Sequence, residues 1–207
     1  MRGPTDPAAA RELWIALHGY GQLARDFIGR LSAVDDGTRL IVAPEGLSRF
    51  YSKQARLAHF TAKDDAVGAS WMTRDDRDDE IVDQLAWLDR VLATFRARVA
   101  PTTPITVLGF SQGAATAARW VDSGGVTPAH LILWGALPAD SLSTDSAVWR
   151  TRCTWVVGDR DEFVTEPMIS AARTRLQEAD VPFTFMSFTG GHRLDDAALA
   201  RLLSSVP

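Results

Sequence analysis

The most informative part of this sequence is residues 105–120, which read ITVLGFSQGAATAARW. Its first part, Ile105–Phe110, is mostly apolar, as in a strand that is buried on both faces of a parallel sheet. The last part is a run of small residues that suits a helix. Ser111 lies between them, with Gly109 and Gly113 two positions away on either side. This strand–turn–helix pattern predicts a sharp turn that projects the serine hydroxyl from the end of the sheet.

A serine on such a turn is a candidate nucleophile. The glycines allow the strand and the helix to approach without a Cβ clash, and the helix start points backbone N–H groups at developing negative charge. A chance Gly-x-Ser-x-Gly in an ordinary tight turn is the alternative, because the pentapeptide alone has little specificity. The flanking strand and helix favour Ser111 as the nucleophile of an acyl transfer.

The rest of the chain alternates between strand and helix patterns. Apolar runs predict strands at Leu13–Leu17, Arg39–Ala43, Leu131–Trp134, Thr154–Val157 and Phe183–Phe188, in addition to Ile105–Phe110. Apolar residues at helical spacing predict helices over 23–31 and 77–98. This alternation predicts an α/β fold with a doubly wound, mostly parallel sheet and helices on both faces.

Length and composition fit a single domain over residues 1–207. The chain is 46% apolar and 23% charged, which argues against long disordered or collagen-like segments. Its 22 basic and 26 acidic residues give a net charge of −4, which disfavours nucleic-acid binding. We expect no membrane span and no signal peptide, and hence a cytoplasmic protein. The single cysteine, Cys153, is expected to be a buried apolar residue rather than a nucleophile.

An acid and a base are available downstream of the serine. His192 follows two glycines after the last predicted strand, and Asp159 and Asp161 follow the strand before it. The carboxyl ends of parallel strands share one edge of the sheet, where such folds place their reactive groups. His192 is therefore the candidate general base, and an aspartate would orient its imidazole. Asp159 and Asp161 compete for that role; we favour Asp161, with Asp159 holding the turn.

The turn after the first strand, residues 17–22 (LHGYGQ), is a candidate oxyanion loop. Acyl transfer needs two convergent N–H donors for the tetrahedral oxyanion. We predict the backbone N–H of Gln112, directly after the serine, and the backbone N–H of Tyr20. His18 is interpreted as a structural group that shapes the turn. A dinucleotide site is disfavoured because the third fingerprint glycine and a ribose-binding acid are missing.

Together these segments resemble the α/β-hydrolase fold, and more narrowly its small carboxylesterase/phospholipase family of esterases, lysophospholipases and acyl-protein thioesterases. The matching pieces stand in family order and read LHGYG at 17–21, GFSQG at 109–113, GDRDEFV at 158–164 and GH at 191–192. The resemblance implies that no metal and no organic cofactor is used and that no large cap domain is present. It also supports Asp161, because the second aspartate of the family's G-D-x-D-x-x-V stretch is the triad acid.

The substrate pocket is where the sequence departs from this family. The family commonly has an acidic residue where this chain has Gln22, and a Trp-Phe/Tyr-Asp motif where this chain has Ser70-Trp71-Met72. We expect residues 44–73 to form a substrate-pocket loop region, with Trp71 and Phe163 as candidate lining residues. Packing in the core is the alternative for Trp71.

These observations predict a serine hydrolase that cleaves carboxylic esters of small to medium acyl chains through an acyl-enzyme intermediate. A thioesterase or a lysophospholipase with the same Ser111–Asp161–His192 triad is the alternative. A non-catalytic binding protein on this scaffold is less favoured. The expected partner is a small-molecule ester substrate, and the oligomeric state, monomer or homodimer, is left open.

Overall fold

A computed structural model of the protein describes residues 1–51, 67–137 and 142–204. The strands are β1 (Glu12–Leu17), β2 (Arg39–Val42), β3 (Ser48–Tyr51), β4 (Val67–Ser70), β5 (Ile105–Phe110), β6 (His130–Trp134), β7 (Cys153–Gly158) and β8 (Thr184–Phe188). Six of them form one parallel sheet in the order β2-β1-β5-β6-β7-β8. Each strand predicted from the sequence is present, with its ends shifted by one residue at most.

The α-helices are α1 (Ala24–Phe27), α2 (Arg77–Arg96), α3 (Gln112–Asp122), α4 (Glu166–Glu178) and α5 (Asp196–Ser204). The helix predicted over 23–31 is only partly α-helical: α1 passes into a 3-10 helix at Ile28–Val34, where Gly29 weakens the α-helical preference. The helix predicted over 77–98 is α2, which ends two residues earlier. In the part of the chain that the structure describes, no helix has the length and apolar character to cross a bilayer.

The helices cover both faces of the sheet. Along β1, Leu13 and Ile15 belong to one buried cluster and Trp14 to another, because successive side chains of a strand point to opposite faces. The first cluster includes apolar residues of α2, α3 and α4, and the second includes residues of α1 and α5. This arrangement confirms the predicted doubly wound α/β architecture.

The region expected to form a pocket loop contains regular structure at both of its ends. β3 and β4 pair as an antiparallel hairpin, in which Ser48 lies opposite Ser70 and Tyr51 lies opposite Val67. Residues 52–66 lie outside the described part of the chain. The hairpin was not predicted, because each of its strands has only four residues and lacks a continuous apolar run.

The order of the strands brings two turns together. β1 pairs with β2 on one side and with β5 on the other, and Leu17 at the end of β1 lies opposite Gly109 of β5. Ligands in open α/β sheets bind at such a reversal of the strand order, at the carboxyl ends of the strands. The turn that follows β1 therefore lies beside Ser111, the residue that follows β5.

We predict that Gly109→Ala destabilises the protein. An ideal Cβ at Gly109 would lie 2.3 Å from the carbonyl oxygen of Gly113 and 2.5 Å from Cα of Ala114, and both are backbone atoms that cannot rotate away. Overpacking of this kind costs about 1–3 kcal/mol, so the midpoint of urea unfolding should fall. The control is Gly29→Ala, since a Cβ at Gly29 would meet no described atom within 4 Å. Equal midpoints for the two variants would contradict the packing argument.

Candidate active site

Ser111 occupies a strained turn between β5 and α3. Its φ of 54° and ψ of −118° are uncommon for a residue with a side chain. The Ser111 N–H donates to the carbonyl oxygen of Trp134, at 2.8 Å, which ties the turn to the end of β6. At Gly113, an ideal Cβ would lie only 2.3 Å from the carbonyl oxygen of Leu17. Glycine is therefore required where the turn meets the end of β1.

Ser111, His192 and Asp161 form a continuous chain of hydrogen bonds. Nε2 of His192 lies 2.9 Å from Oγ of Ser111, and Nδ1 of His192 lies 2.8 Å from Oδ2 of Asp161. Because a carboxylate only accepts hydrogen bonds, Nδ1 carries the proton and Nε2 accepts from the serine hydroxyl. The side chain of Asp161 is 1% exposed and that of His192 is 13% exposed. The structure thus brings Ser111, His192 and Asp161 together in one hydrogen-bonded chain.

The two competing aspartates have different partners. Oδ1 of Asp161 accepts hydrogen bonds from the backbone N–H groups of Phe163 and Val164, at 2.9 and 3.1 Å, so its carboxylate is held from both sides. Oδ1 of Asp159 accepts from the N–H of Gly190, at 2.9 Å. Asp159 therefore braces the loop that carries His192, while Asp161 contacts the imidazole itself.

The imidazole of His192 is packed between aromatic rings. The ring of Phe110 lies 5.0 Å from it, and the ring of Phe163 lies 4.7 Å from it in an edge-to-face arrangement. A Cβ at Gly135, where φ is +63°, would lie 3.1 Å from Cε1 of His192. Phe163 is 65% exposed, so this candidate pocket residue lies at the mouth of the site, next to His192.

His18 shapes the turn after β1, as the sequence predicts. It is fully buried; Nδ1 donates to the carbonyl oxygen of Gly19, at 2.8 Å, and Nε2 accepts from the N–H of Gly46, at 3.0 Å. Burial lowers the pKa of His18, although the Gly19 carbonyl acts in the opposite direction. The neutral form is the one whose single ring proton matches these two partners.

Gln22 stabilises the same turn. Its Oε1 accepts a hydrogen bond from the N–H of Gly19, at 2.8 Å, and the N–H of Gly21 donates to the carbonyl oxygen of Ala69, at 2.9 Å. An amide oxygen can accept this bond as a carboxylate would. Within the described ranges, the backbone N–H groups of Tyr20 and Gln112 have no hydrogen-bond acceptor. The two predicted oxyanion donors therefore lie on adjacent turns and are not bonded to other described groups.

Trp71 lies in the core, the alternative that the sequence left open. It is 1% exposed, its indole N–H donates to the carbonyl oxygen of His18 at 2.8 Å, and its ring lies 4.9 Å from that of His18. It supports the turn after β1 from inside the molecule. The ring of Tyr20, on the same turn, is by contrast 62% exposed, and it is stacked 4.9 Å from the ring of Phe50 on β3.

The side chain of Gln112 has contacts that sequence reasoning missed. Its Oε1 accepts from the N–H of Trp71, at 3.0 Å, and its Nε2 donates to the carbonyl oxygen of Met72, at 2.9 Å. Only the backbone N–H of Gln112 was assigned a role from the sequence. The missed partners are 41 and 40 residues away along the chain, and no local pattern points to them.

Cys153 is buried at the start of β7, as predicted. It is 4% exposed, and burial raises the pKa of its thiol to about 12. The reactive thiolate is therefore disfavoured at neutral pH.

Several solved structures share this architecture. Arabidopsis thaliana SOBER1 superimposes with a TM-score of 0.67 at 18% identity, over 94% of this chain and 97% of that protein. Esterase PE8 superimposes with a TM-score of 0.66 at 20% identity, over 97% of this chain and 94% of that protein. The Bacillus cereus carboxylesterase superimposes with a TM-score of 0.67 at 14% identity, over 98% of this chain and 90% of that protein. No protein-family model and no curated protein matches the sequence.

At these identities the similarity establishes the fold. The chain has the α/β-hydrolase fold, which confirms the resemblance seen in the sequence motifs at that level. Among the described residues no large cap domain covers the carboxyl edge of the sheet.

We predict that His18 makes the folded protein sensitive to acid. Its pKa is lowered from the ordinary value of 6.5 in the folded state, so as the pH decreases through 6.5 the unfolded chain binds a proton at His18 more readily than the folded chain does. The free energy of unfolding therefore falls as the pH decreases through 6.5. In His18→Gln this contribution is absent, and the loss of stability between about pH 7.5 and about pH 5.5 should be smaller.

The measurement is urea unfolding of both proteins across this pH range. His130, whose pKa burial lowers to about 4, adds acid sensitivity to both proteins and cancels in the comparison. If the free energy of unfolding falls by the same amount with pH in the wild type and in His18→Gln, a lowered pKa of His18 in the folded state is contradicted.

Proposed function

We propose that this protein is a serine hydrolase that cleaves carboxylic esters. The observation that carries the proposal is the hydrogen-bond chain from Ser111 through His192 to the buried carboxylate of Asp161. The chain stands at the carboxyl edge of an α/β-hydrolase sheet, and the serine is on a strained turn. A non-catalytic scaffold has no need for such a chain together with two neighbouring backbone amides that have no acceptor among the described residues.

In this mechanism, Oγ of Ser111 attacks the acyl carbon while Nε2 of His192 accepts the hydroxyl proton. The carboxylate of Asp161 holds the tautomer and stabilises the imidazolium that forms. The backbone N–H groups of Tyr20 and Gln112 donate to the oxyanion of the tetrahedral intermediate. His192 then protonates the leaving alcohol, which leaves the acyl group bonded to Ser111.

Water completes the reaction by attacking the acyl-enzyme. His192 takes a proton from this water, and collapse of the second tetrahedral intermediate releases the carboxylic acid and returns the proton to Oγ of Ser111. These steps need only water, the side chains of Ser111, His192 and Asp161, and the backbone N–H groups of Tyr20 and Gln112. We propose that it uses no cofactor.

The proposed substrates are esters of small to medium acyl chains. The exposed ring of Phe163 contacts His192, and the exposed ring of Tyr20 lies on the turn after β1, next to the Ser111 turn. Both rings offer apolar surface to an acyl or alcohol group. Two of the similar structures carry the names esterase and carboxylesterase, which supports an ester as the scissile group. Thioesters and lysophospholipids undergo the same attack, so a panel of the three substrate types, ranked by kcat/KM, tests the preference.

We predict turnover of short-chain p-nitrophenyl esters that depends on Ser111. Removing the nucleophile in Ser111→Ala should lower kcat by at least about a thousandfold, since the remaining oxyanion donors supply only residual catalysis. A fluorophosphonate probe should label the wild type at Ser111 and leave the folded variant unlabelled. Equal turnover by the two proteins would remove Ser111 from the mechanism.

A second pair of variants tests which aspartate orients His192. In Asp161→Asn the side-chain oxygen can still accept from the N–H groups of Phe163 and Val164, but the amide no longer stabilises the Nδ1–H tautomer. We expect kcat to fall by about 10³–10⁴. Asp159→Asn loses the same charge and can still accept from Gly190, so its kcat should stay within about threefold of the wild type. The reverse ranking would make Asp159 the acid.

A further inference from the structure

The carbonyl oxygen of His18 is held from two sides. The indole N–H of Trp71 donates to it at 2.8 Å. On the other side, α3 approaches so closely that an ideal Cβ at Gly113 would lie 2.5 Å from the same oxygen. The His18–Gly19 peptide group, at the start of the turn after β1, is therefore in close contact with both the Trp71 indole and the turn that carries Ser111.

The backbone of Trp71 is itself held by Gln112. Oε1 of Gln112 accepts the N–H of Trp71, and Nε2 of Gln112 donates to the carbonyl oxygen of Met72. The hydroxyl of Ser70 also donates to the carbonyl oxygen of Met72, at 2.8 Å. One side-chain amide thus fixes the segment after β4 by a donor and an acceptor at once, and a side chain without both groups cannot replace it.

We propose that the Gln112 side chain and the Trp71 indole form a strut that sets the separation of the two oxyanion donors. The strut starts at Gln112, whose backbone N–H is one donor, and passes through Trp71 to the carbonyl oxygen of His18. The peptide bond after this one carries the N–H of Tyr20, which is the second donor. The inference rests on the proposed function, and it makes Trp71 and the Gln112 side chain positioning residues.

Such a strut matters because the oxyanion donors act only over a narrow range of positions. Each donor nitrogen must come within about 2.7–3.1 Å of the developing oxyanion. A displacement of about 1 Å can cost about a hundredfold in rate. If the His18–Gly19 peptide tilts, the neighbouring Gly19–Tyr20 peptide moves with it, while Ser111 and His192 keep their places.

Trp71→Phe tests the strut because it removes the indole N–H and keeps an aromatic ring in the core. On p-nitrophenyl acetate we expect kcat to fall by about 10- to 100-fold, with KM within about threefold of the wild type. Binding of a trifluoromethyl ketone, whose serine adduct carries the same oxyanion, should weaken by the same factor as kcat/KM. The pH at which kcat/KM is half-maximal should not move, because the bonds of His192 are unchanged.

Trp149→Phe is the matched control. Trp149 is 5% exposed, and its indole N–H donates to the carbonyl oxygen of Ser143 at 3.0 Å, outside the strut. The Trp149→Phe variant loses an indole-to-carbonyl hydrogen bond, as Trp71→Phe does. Its unfolding midpoint should therefore fall by about as much as that of Trp71→Phe, while its kcat stays at the wild-type value. An equal loss of kcat in both variants would show that Trp71 acts only through general stability, and would overturn the proposal.

Gln112→Met tests the other end of the strut, since it keeps the backbone N–H and removes the side-chain hydrogen bonds. If Gln112 and Trp71 act through one path, the double variant should lose little more kcat than the more impaired single variant. If the fold-loss of kcat in the double variant equals the product of the two single losses, the residues act independently and the strut is wrong.

The NMR signal of the Tyr20 amide tests the strut without using catalysis. Trp71→Phe and Gln112→Met should both shift this signal, and Trp149→Phe should leave it in place. An unmoved Tyr20 amide in the first two variants overturns the strut, even if wild type and Ser111→Ala behave as a serine hydrolase should. A shifted amide in a protein without Ser111-dependent turnover would support the strut and reject the proposed function instead.

Discussion

The backbone conformation of Ser111 is the constraint on which the rest of the structure depends. A positive φ at a residue with a side chain costs about 1–3 kcal/mol, and it persists only where the surroundings leave no alternative. Here β5, α3 and the end of β1 meet so closely that Gly109 and Gly113 have no room for a Cβ. This packing offsets the strain and aims the serine hydroxyl at His192.

The same close approach joins the nucleophile turn to the oxyanion turn. Leu17 and Gly109 are neighbours in the sheet, so the residues that follow them have to share the space at its edge. His18 stays neutral through burial, and its two ring nitrogens then bind a carbonyl and an N–H group of different segments. The turn after β1 is therefore held in place by hydrogen bonds to the buried side chains of His18 and Trp71.

Much of this arrangement could be predicted because it follows from local rules. The apolar runs determine the strands, and the alternation with helices determines the parallel sheet. Ser111 and His192 could be found because each follows a strand next to glycines. The β3–β4 hairpin could not be found, since its four-residue strands lack the apolar run that marks the equally short β2. The 3-10 segment after α1 was missed because apolar spacing does not distinguish it from an α-helix.

The sequence by itself determined the α/β class, the candidate nucleophile and base, and the edge of the sheet where they meet, because periodicity and turn chemistry act over a few residues. Only the tertiary structure decided that Asp161 contacts His192 while Asp159 braces a loop, since the two carboxylates are just two positions apart. It also placed Trp71 in the core and gave the Gln112 side chain its partners. Those contacts join segments about 40 residues or more apart, and their geometry arises only when the strands assemble into one sheet.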